Sequence, residues 1–126
     1  MVLIVGCTSP QQDQVFQALN HDRNVYGMGS LGYSEMQRNK AQGWADHLAA
    51  VGYLSHSNLP DGVSGCWRSL GENVGSGPSI GVIENAYMGS SGHRANILNP
   101  YFRYAATGVA WRGSTVYTVQ EFMQPC

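Results

Sequence analysis

A chain of 126 residues holds one hydrophobic core rather than two, because each half of a divided chain would bury too little of its surface. Seven basic against eight acidic residues, a net charge of -1 and 43% hydrophobic residues exclude a disordered chain, which needs the opposite balance. They also leave no basic surface for a nucleic acid. No run approaches the ~18 to 20 apolar residues that a spanning helix needs, so no membrane span is expected.

The chain opens on an apolar stub, Leu3-Ile4-Val5-Gly6-Cys7, followed by polar residues. A small residue and a cysteine after an apolar run resemble the lipobox of bacterial lipoprotein signals, with Cys7 as the lipidated residue. The stub lacks a charged start and is shorter than the ~7 to 15 apolar residues of a full signal. An incidental leader strand is the alternative. Residues 1–10 are therefore read as a leader or lipobox remnant, and 11–126 as a single domain. Three cysteines is an odd count. With Cys7 set aside, Cys66 and Cys126 are left as a disulfide pair 60 residues apart, a staple of roughly 3 to 4 kcal/mol in the chain-entropy model and a feature of exported proteins.

Val15, Phe16 and Leu19 lie on one face of a helix from Gln11 to Asn24, with Pro10 suited to its first turn. A glycine-containing loop, 25–33, follows. Ser34-x-x-Gln37 reads as a capping box for a second helix, whose stripe of Trp44, Ala45, Leu48 and Ala49 should face the core and which Gly52 should stop. Residues 53–71 show no periodicity and read as a long surface loop, a type that is commonly functional. Ser79 caps a third helix through Met88, and a short helical turn fits His93 to Leu98. Thr107 to Arg112 and Thr115 to Phe122 then alternate with period two around Gly113-Ser114, which is hairpin chemistry. Helices first and a hairpin last make the class α+β.

Two motifs match in the wrong context. Gly27-Met28-Gly29-Ser30-Leu31-Gly32 fits GxGxxG, but a helix rather than a strand precedes it, so a dinucleotide site is rejected. Gly77-Pro78-Ser79-Ile80-Gly81 fits GxSxG without the large parallel sheet of a nucleophile elbow, so Ser79 is read as a cap. His21 and His47 read as solvated helix residues. Arg94 reads as the partner of a carboxylate or carbonyl, and Trp67 as a residue whose role depends on its exposure.

Three segments remain: Leu54-Ser55-His56-Ser57, Leu70-Gly71-Glu72-Asn73-Val74 and Ser90-Ser91-Gly92-His93-Arg94-Ala95-Asn96-Ile97-Leu98. They resemble the CAP superfamily of cysteine-rich secretory proteins, venom antigens and plant pathogenesis-related proteins, and look most like its small bacterial secreted members. Leu19-Asn20-x-x-Arg23, Ala41-x-x-Trp44-Ala45-x-x-Leu48-Ala49, Gly108-Val109-Ala110 and Gln120-Glu121-Phe122 extend the resemblance in the same order. It implies an α-β-α sandwich with a central antiparallel sheet, and a cleft where His56, Glu72 and His93 meet. The family's second acid falls at Ser90, three residues after Tyr87, and Glu84 on the preceding turn is a poor substitute. The resemblance further implies a secreted or envelope-anchored monomer that binds a lipid or sterol-like ligand or an extracellular macromolecule. A hydrolase using zinc on His56 and His93 with Glu72 as catalytic base is the second reading, since two neutral imidazoles can share the ion and a carboxylate can activate its water. A structural envelope protein, whose histidines only hold the long loop, is the third.

Overall fold

The computed structural model describes residues 8–126; Cys7 and the rest of the apolar stub lie outside the described residues. Helix α1 spans Pro10–Val25. Ser9 caps it with a complete box, in which Ser9 Oγ accepts from the Gln12 amide and Gln12 Oε1 accepts from the Ser9 amide. Strand β1 is Gly32–Tyr33, within the segment expected to be entirely loop. Helix α2 spans Glu35–Val51, capped by Ser34 and ended by Gly52 at φ 80°, the left-handed conformation that glycine adopts without strain. Strand β2 is Trp67–Gly77, α3 is Ile80–Met88 behind a Ser79 cap, and α4 is Ser91–Ile97. Strands β3 (Tyr104–Arg112) and β4 (Thr115–Pro125) form the hairpin across Gly113-Ser114, with Gly113 at φ 59°.

The sheet order is β1-β3-β4-β2. All pairs are antiparallel except that the two-residue β1 runs parallel to β3. Alternation along the strands sorts residues between two faces. Val74, Ala106, Tyr117 and Val119 pack with Ala41, Ala45, Leu48 and Ala49 of α2. On the other face Ala105, Val109, Val116 and Phe122 pack with Val15 and Leu19 of α1, Ile80, Ile83 and Tyr87 of α3, and Ile97 of α4. The result is three layers, helix over sheet over helices, as the resemblance implied.

Two expectations are corrected. The segment taken as loop to Gly71 becomes strand at Trp67, because β2 is paired along its length with β4, from Trp67 opposite Pro125 to Gly77 opposite Val116. Trp44 is not a core residue. It lies half-buried at the rim of the α2 cluster, stacks on His47 at 4.6 Å between ring centroids and donates its indole N–H to the Ser55 carbonyl at 2.8 Å. The inward stripe of α2 is Ala41, Ala45, Leu48 and Ala49. Cys66 and Cys126 are disulfide-bonded with Cα atoms 5.4 Å apart, joining the start of β2 to the residue after β4. Trp67, next to that bridge, is half-buried.

Candidate functional site

Strand β2 lies at the edge of the sheet, and the Gly71-Glu72-Asn73 triplet on it assigns each residue a different task. A side chain at Gly71 would put its Cβ 2.9 Å from the Phe102 ring and 3.0 Å from Asn96 Oδ1, so the position accepts only hydrogen. Asn73 points to the face that carries α4. Its Nδ2 donates to the His93 carbonyl (3.2 Å) and to Gln120 Oε1 (3.0 Å), and its Oδ1 accepts from Asn96 (2.9 Å). Asn96 also donates to the Glu72 carbonyl at 3.2 Å. These amide pairs hold the short α4, and with it His93, against the strand.

Glu72 alternates to the opposite face and ends in the loop that leads from α2. Its Oε1 accepts from His56 Nδ1 (2.8 Å) and from the Ser57 amide (2.9 Å), and its Oε2 accepts from Ser57 Oγ. The carboxylate side chain is 1% exposed and the imidazole it holds is 61% exposed. A buried anion thus orients a histidine that reaches solvent. The loop is fixed to α2 as well, through the Trp44 bond to Ser55 and a Lys40 Nζ bond to the Asn58 carbonyl (2.9 Å).

His93 is positioned by Ser90, whose Oγ lies 2.9 Å from its Nδ1. Ser90 is the N-cap of α4 yet makes no capping bond with that side chain, so its hydroxyl serves the histidine instead of the helix end. The His93 ring lies 5.1 Å from the Tyr87 ring. Burial, and then the charge of His56, lower the His93 pKa below its ordinary value of 6.5. The two imidazoles therefore sense one another electrostatically. In each the Nδ1 is engaged, and Nε2 makes none of the described hydrogen bonds.

Three residues of this cluster, Ser57, Asn96 and Glu121, were not among the candidates read from the sequence. Glu121 of β4 stands directly opposite Glu72, is 1% exposed and meets it carboxyl to carboxyl. Two carboxyl groups can bond only if one is protonated. Burial first, then the proton shared with the neighbouring Glu72 and after it that group's charge, push Glu121 up to about 10. Glu72 goes the other way: its bonds with Glu121, Ser57 and His56 overcome the opposing effect of burial and leave it below its ordinary value. Glu121 is thus the neutral acid and Glu72 the carboxylate. Ser57, Asn96 and Glu121 complete a set of which His56, Glu72, Ser90 and His93 were read from the sequence. The signal for Glu121 was an acid at an inward position of a strand otherwise buried on both sides, which becomes informative once β2 is recognised as its partner.

Glu84 does not enter the cleft. It lies on the inner face of α3, accepts from Gln120 Nε2 at 2.8 Å, and is pushed up to about 9 by burial and by its bond with Asp22 of α1.

Beside His93 the surface opens into a groove of about 280 Å³ whose walls include Leu54, Val74, Ile83, Ala86 and Tyr87, with Ser76, Ser90 and His93 as its hydrogen-bonding side chains. A second hollow, of about 320 Å³, lies around His56, Leu59, Gly71, Glu72 and Asn96.

Comparison with known proteins gives this arrangement a context. Venom allergen-like protein 4 of Schistosoma mansoni superimposes with a TM-score of 0.78 over 94% of this chain and 91% of its own, at 14% identity. An extracellular protein containing an SCP domain from Bacillus anthracis superimposes with a TM-score of 0.72 over 95% of this chain and 45% of its own, at 24% identity. The chain has the CAP fold. No family model matches it. The uncharacterized protein YkwD of Bacillus subtilis is 27% identical over 123 residues, covering 89% of this chain; the chain spans about half (47%) of that relative's length. Within the CAP fold, the His56–Glu72 pair joins a loop to the edge strand, the His93–Ser90 pair lies at a short helix held against that strand, and the disulfide ties the root of the strand to β4.

Proposed function

We propose that this CAP domain is an extracellular binding module whose groove takes an apolar ligand, with Ser90 and His93 meeting the ligand's polar end. The observation that carries this reading is the groove itself: aliphatic and aromatic side chains from the loop, β2 and α3 form most of its walls, and a few hydrogen-bonding side chains, Ser76, Ser90 and His93, lie among them. That division suits a lipid or sterol-like molecule, whose single polar group fixes orientation while apolar burial supplies affinity. The disulfide supports a location in an oxidising compartment. Glu72 favours binding over hydrolysis, since its oxygens are committed to His56, Ser57 and Glu121 and its role is to hold the loop and orient the imidazole. A fluorescent fatty acid or sterol analogue should bind saturably. Ala86→Phe, at an exposed position on the groove wall, should abolish that binding without loss of fold. A full titration with no saturation, or an unchanged affinity in the filled groove, would exclude the reading.

A second reading concerns metal. Both imidazoles have Nδ1 tied to a neighbour, the arrangement by which outer partners orient histidines that ligate through the other nitrogen. Among the described residues no group of three or more His, Cys, Asp and Glu is arranged to hold an ion, so the donor set is one ligand short of a catalytic zinc site. Two imidazoles fit a weakly held Zn²⁺, for which they would supply nitrogen ligands and the ion would supply Lewis acidity. Calorimetry should then show one weak site that His56→Ala or His93→Ala removes. Equal affinity in both variants would place the ion elsewhere.

A further inference from the structure

Arg23 stands in the last turn of α1 with only 3% of its surface exposed. Its Nε donates to the Gly29 carbonyl (2.7 Å), and its Nη1 donates to the carbonyls of Ile97 (2.8 Å) and Asn99 (3.0 Å). Carbonyl dipoles satisfy those protons but bring no negative charge. None of its described bonds is to a carboxylate, and none uses Nη2. The charged group that it does sense is another cation, Arg103. A buried guanidinium with a like-charged neighbour and no counter-ion is costly, and proteins ordinarily pair such a charge.

Both arginines line one cavity of about 250 Å³ together with Gly29, Ser30 and Phe102. Gly29 and Ser30 belong to the Gly27-Met28-Gly29-Ser30-Leu31-Gly32 run, rejected above as a dinucleotide fingerprint. In that run Met28 N–H donates to the Arg23 carbonyl, Leu31 N–H to Asn20 Oδ1 and Gly32 N–H to the Arg103 carbonyl. The amides of Gly29 and Ser30 have no partner among the described residues. A Cβ on Gly29 would meet nothing within 4 Å, so open space lies beside its backbone. The cavity shares no lining residue with the groove or the hollow of the His56/His93 cleft.

We infer that this cavity is a binding site for a phosphate-type oxyanion, held between Arg23 and Arg103 and supported by the Gly29-Ser30 backbone. Arg103 makes its described bonds through Nη1 alone, so its Nε and Nη2 remain as a planar pair of donors that matches two oxygens of a phosphate, Arg23 adds Nη2, and consecutive free amides form the kind of concavity in which anions sit. A bound anion would supply the missing counter-charge and relieve the repulsion between the two arginines. The cavity leaves the chemistry of the group beyond the phosphate to be decided between a free phosphate ester and a lipid headgroup.

The test follows the Gly29 and Ser30 amide resonances of the whole chain during titration with sodium phosphate, with sodium chloride at matched ionic strength as control. Saturable shifts confined to phosphate are expected. Arg103 is exposed and bonds only nearby carbonyls, so Arg103→Gln should leave the fold intact and weaken binding by roughly tenfold or more. Arg23→Gln is the stronger perturbation, but its failure to fold would leave the Arg103 result to stand alone. Shifts that do not saturate, equal shifts with chloride, or undiminished affinity in Arg103→Gln would overturn the inference. Sedimentation with phosphatidylglycerol vesicles then separates the sources: Arg103-dependent sedimentation assigns a lipid headgroup, and saturable phosphate binding without sedimentation assigns a soluble ester.

Discussion

Where the sheet meets α2, small residues face small residues: Ala106, Gly108 and Ala110 of β3 lie under Ala41, Ala45 and Ala49. On the opposite face Ile83, Tyr87, Phe102 and Phe122 fill the space beneath three helices. The first face gains dispersion contacts by letting backbones approach, and the second by interlocking large side chains. The difference predicts how each responds to an added methyl group. A Cβ on Gly108 would press into the Ala41 carbonyl and lie 2.8 Å from Gln42 Cα, both fixed backbone, whereas a Cβ on Gly75 would meet Ile83 Cγ2 at 2.7 Å and Tyr87 Oη at 2.8 Å, both side-chain ends. Gly108→Ala should therefore cost more than about 4 kcal/mol, and Gly75→Ala about 1 to 3 kcal/mol. Chemical denaturation of the two variants checks the order. Equal losses would show that α2 can lift from the sheet as readily as Tyr87 can turn.

A smaller effect separates the inside of α2 from its rim. Leu48 is fully buried, so Leu48→Ala should cost about 2 to 5 kcal/mol. Trp44→Ala should cost less than about 2 kcal/mol, because its ring is half solvated and the loss is mainly the Ser55 bond and the His47 stack. The same comparison shows what helical periodicity can and cannot convey. It locates the inward stripe to within one residue, and the Trp44 position lies on its margin. An aromatic there covers a loop anchor that the sequence gives no means of seeing.

The helices, their caps and the β3–β4 hairpin were legible because each carries a local signal: Ser34, Ser79, Gly52, Gly113 and the period-two run of β4. Strand β2 was not, for a physical reason. Buried on both faces at its centre and built largely of Gly, Ser and Asn, it shows neither alternation nor β-branched enrichment. Its glycines admit Phe102 on one stretch and Ile83 and Tyr87 on another. Its polar residues are bonded across to β4 and α4. The cleft histidines and Glu72 could be located through the family resemblance, which quotes them as motifs. Glu121 was quoted too, within Gln120-Glu121-Phe122, but its role was not legible, since it depends on facing Glu72 in a strand pair that local pattern did not reveal.

Each face also hides one carboxyl pair, and the pairs sharpen the comparison at its finest scale. Glu72–Glu121 lies at the cleft end of the α2-facing side, and Asp22–Glu84 lies under α1 and α3 on the other. Glu121 and Glu84, at about 10 and about 9 against an ordinary value of 4.5, each retain a proton that the unfolded chain releases above about pH 4.5. Between that pH and about 9 the native state holds the extra protons, so its stability must fall as pH rises, by up to about 1.4 kcal/mol per pH unit for each retained proton. The lowered pKa of His93 acts in the opposite sense, but only below 6.5. Denaturant titrations at pH 7 and pH 8 should therefore show the less stable protein at pH 8. Glu84→Gln and Glu121→Gln each supply a permanent amide donor where a held proton now stands, and each should remove one proton's share of that slope. The two variants should differ at the cleft: Glu121→Gln changes the partner of the carboxylate that orients His56, so the imidazole resonances of His56 should move, while Glu84→Gln should leave them in place. If both variants flatten the slope and neither moves His56, the Glu72–Glu121 pair is a core device on the α2 face and plays no part in positioning the cleft.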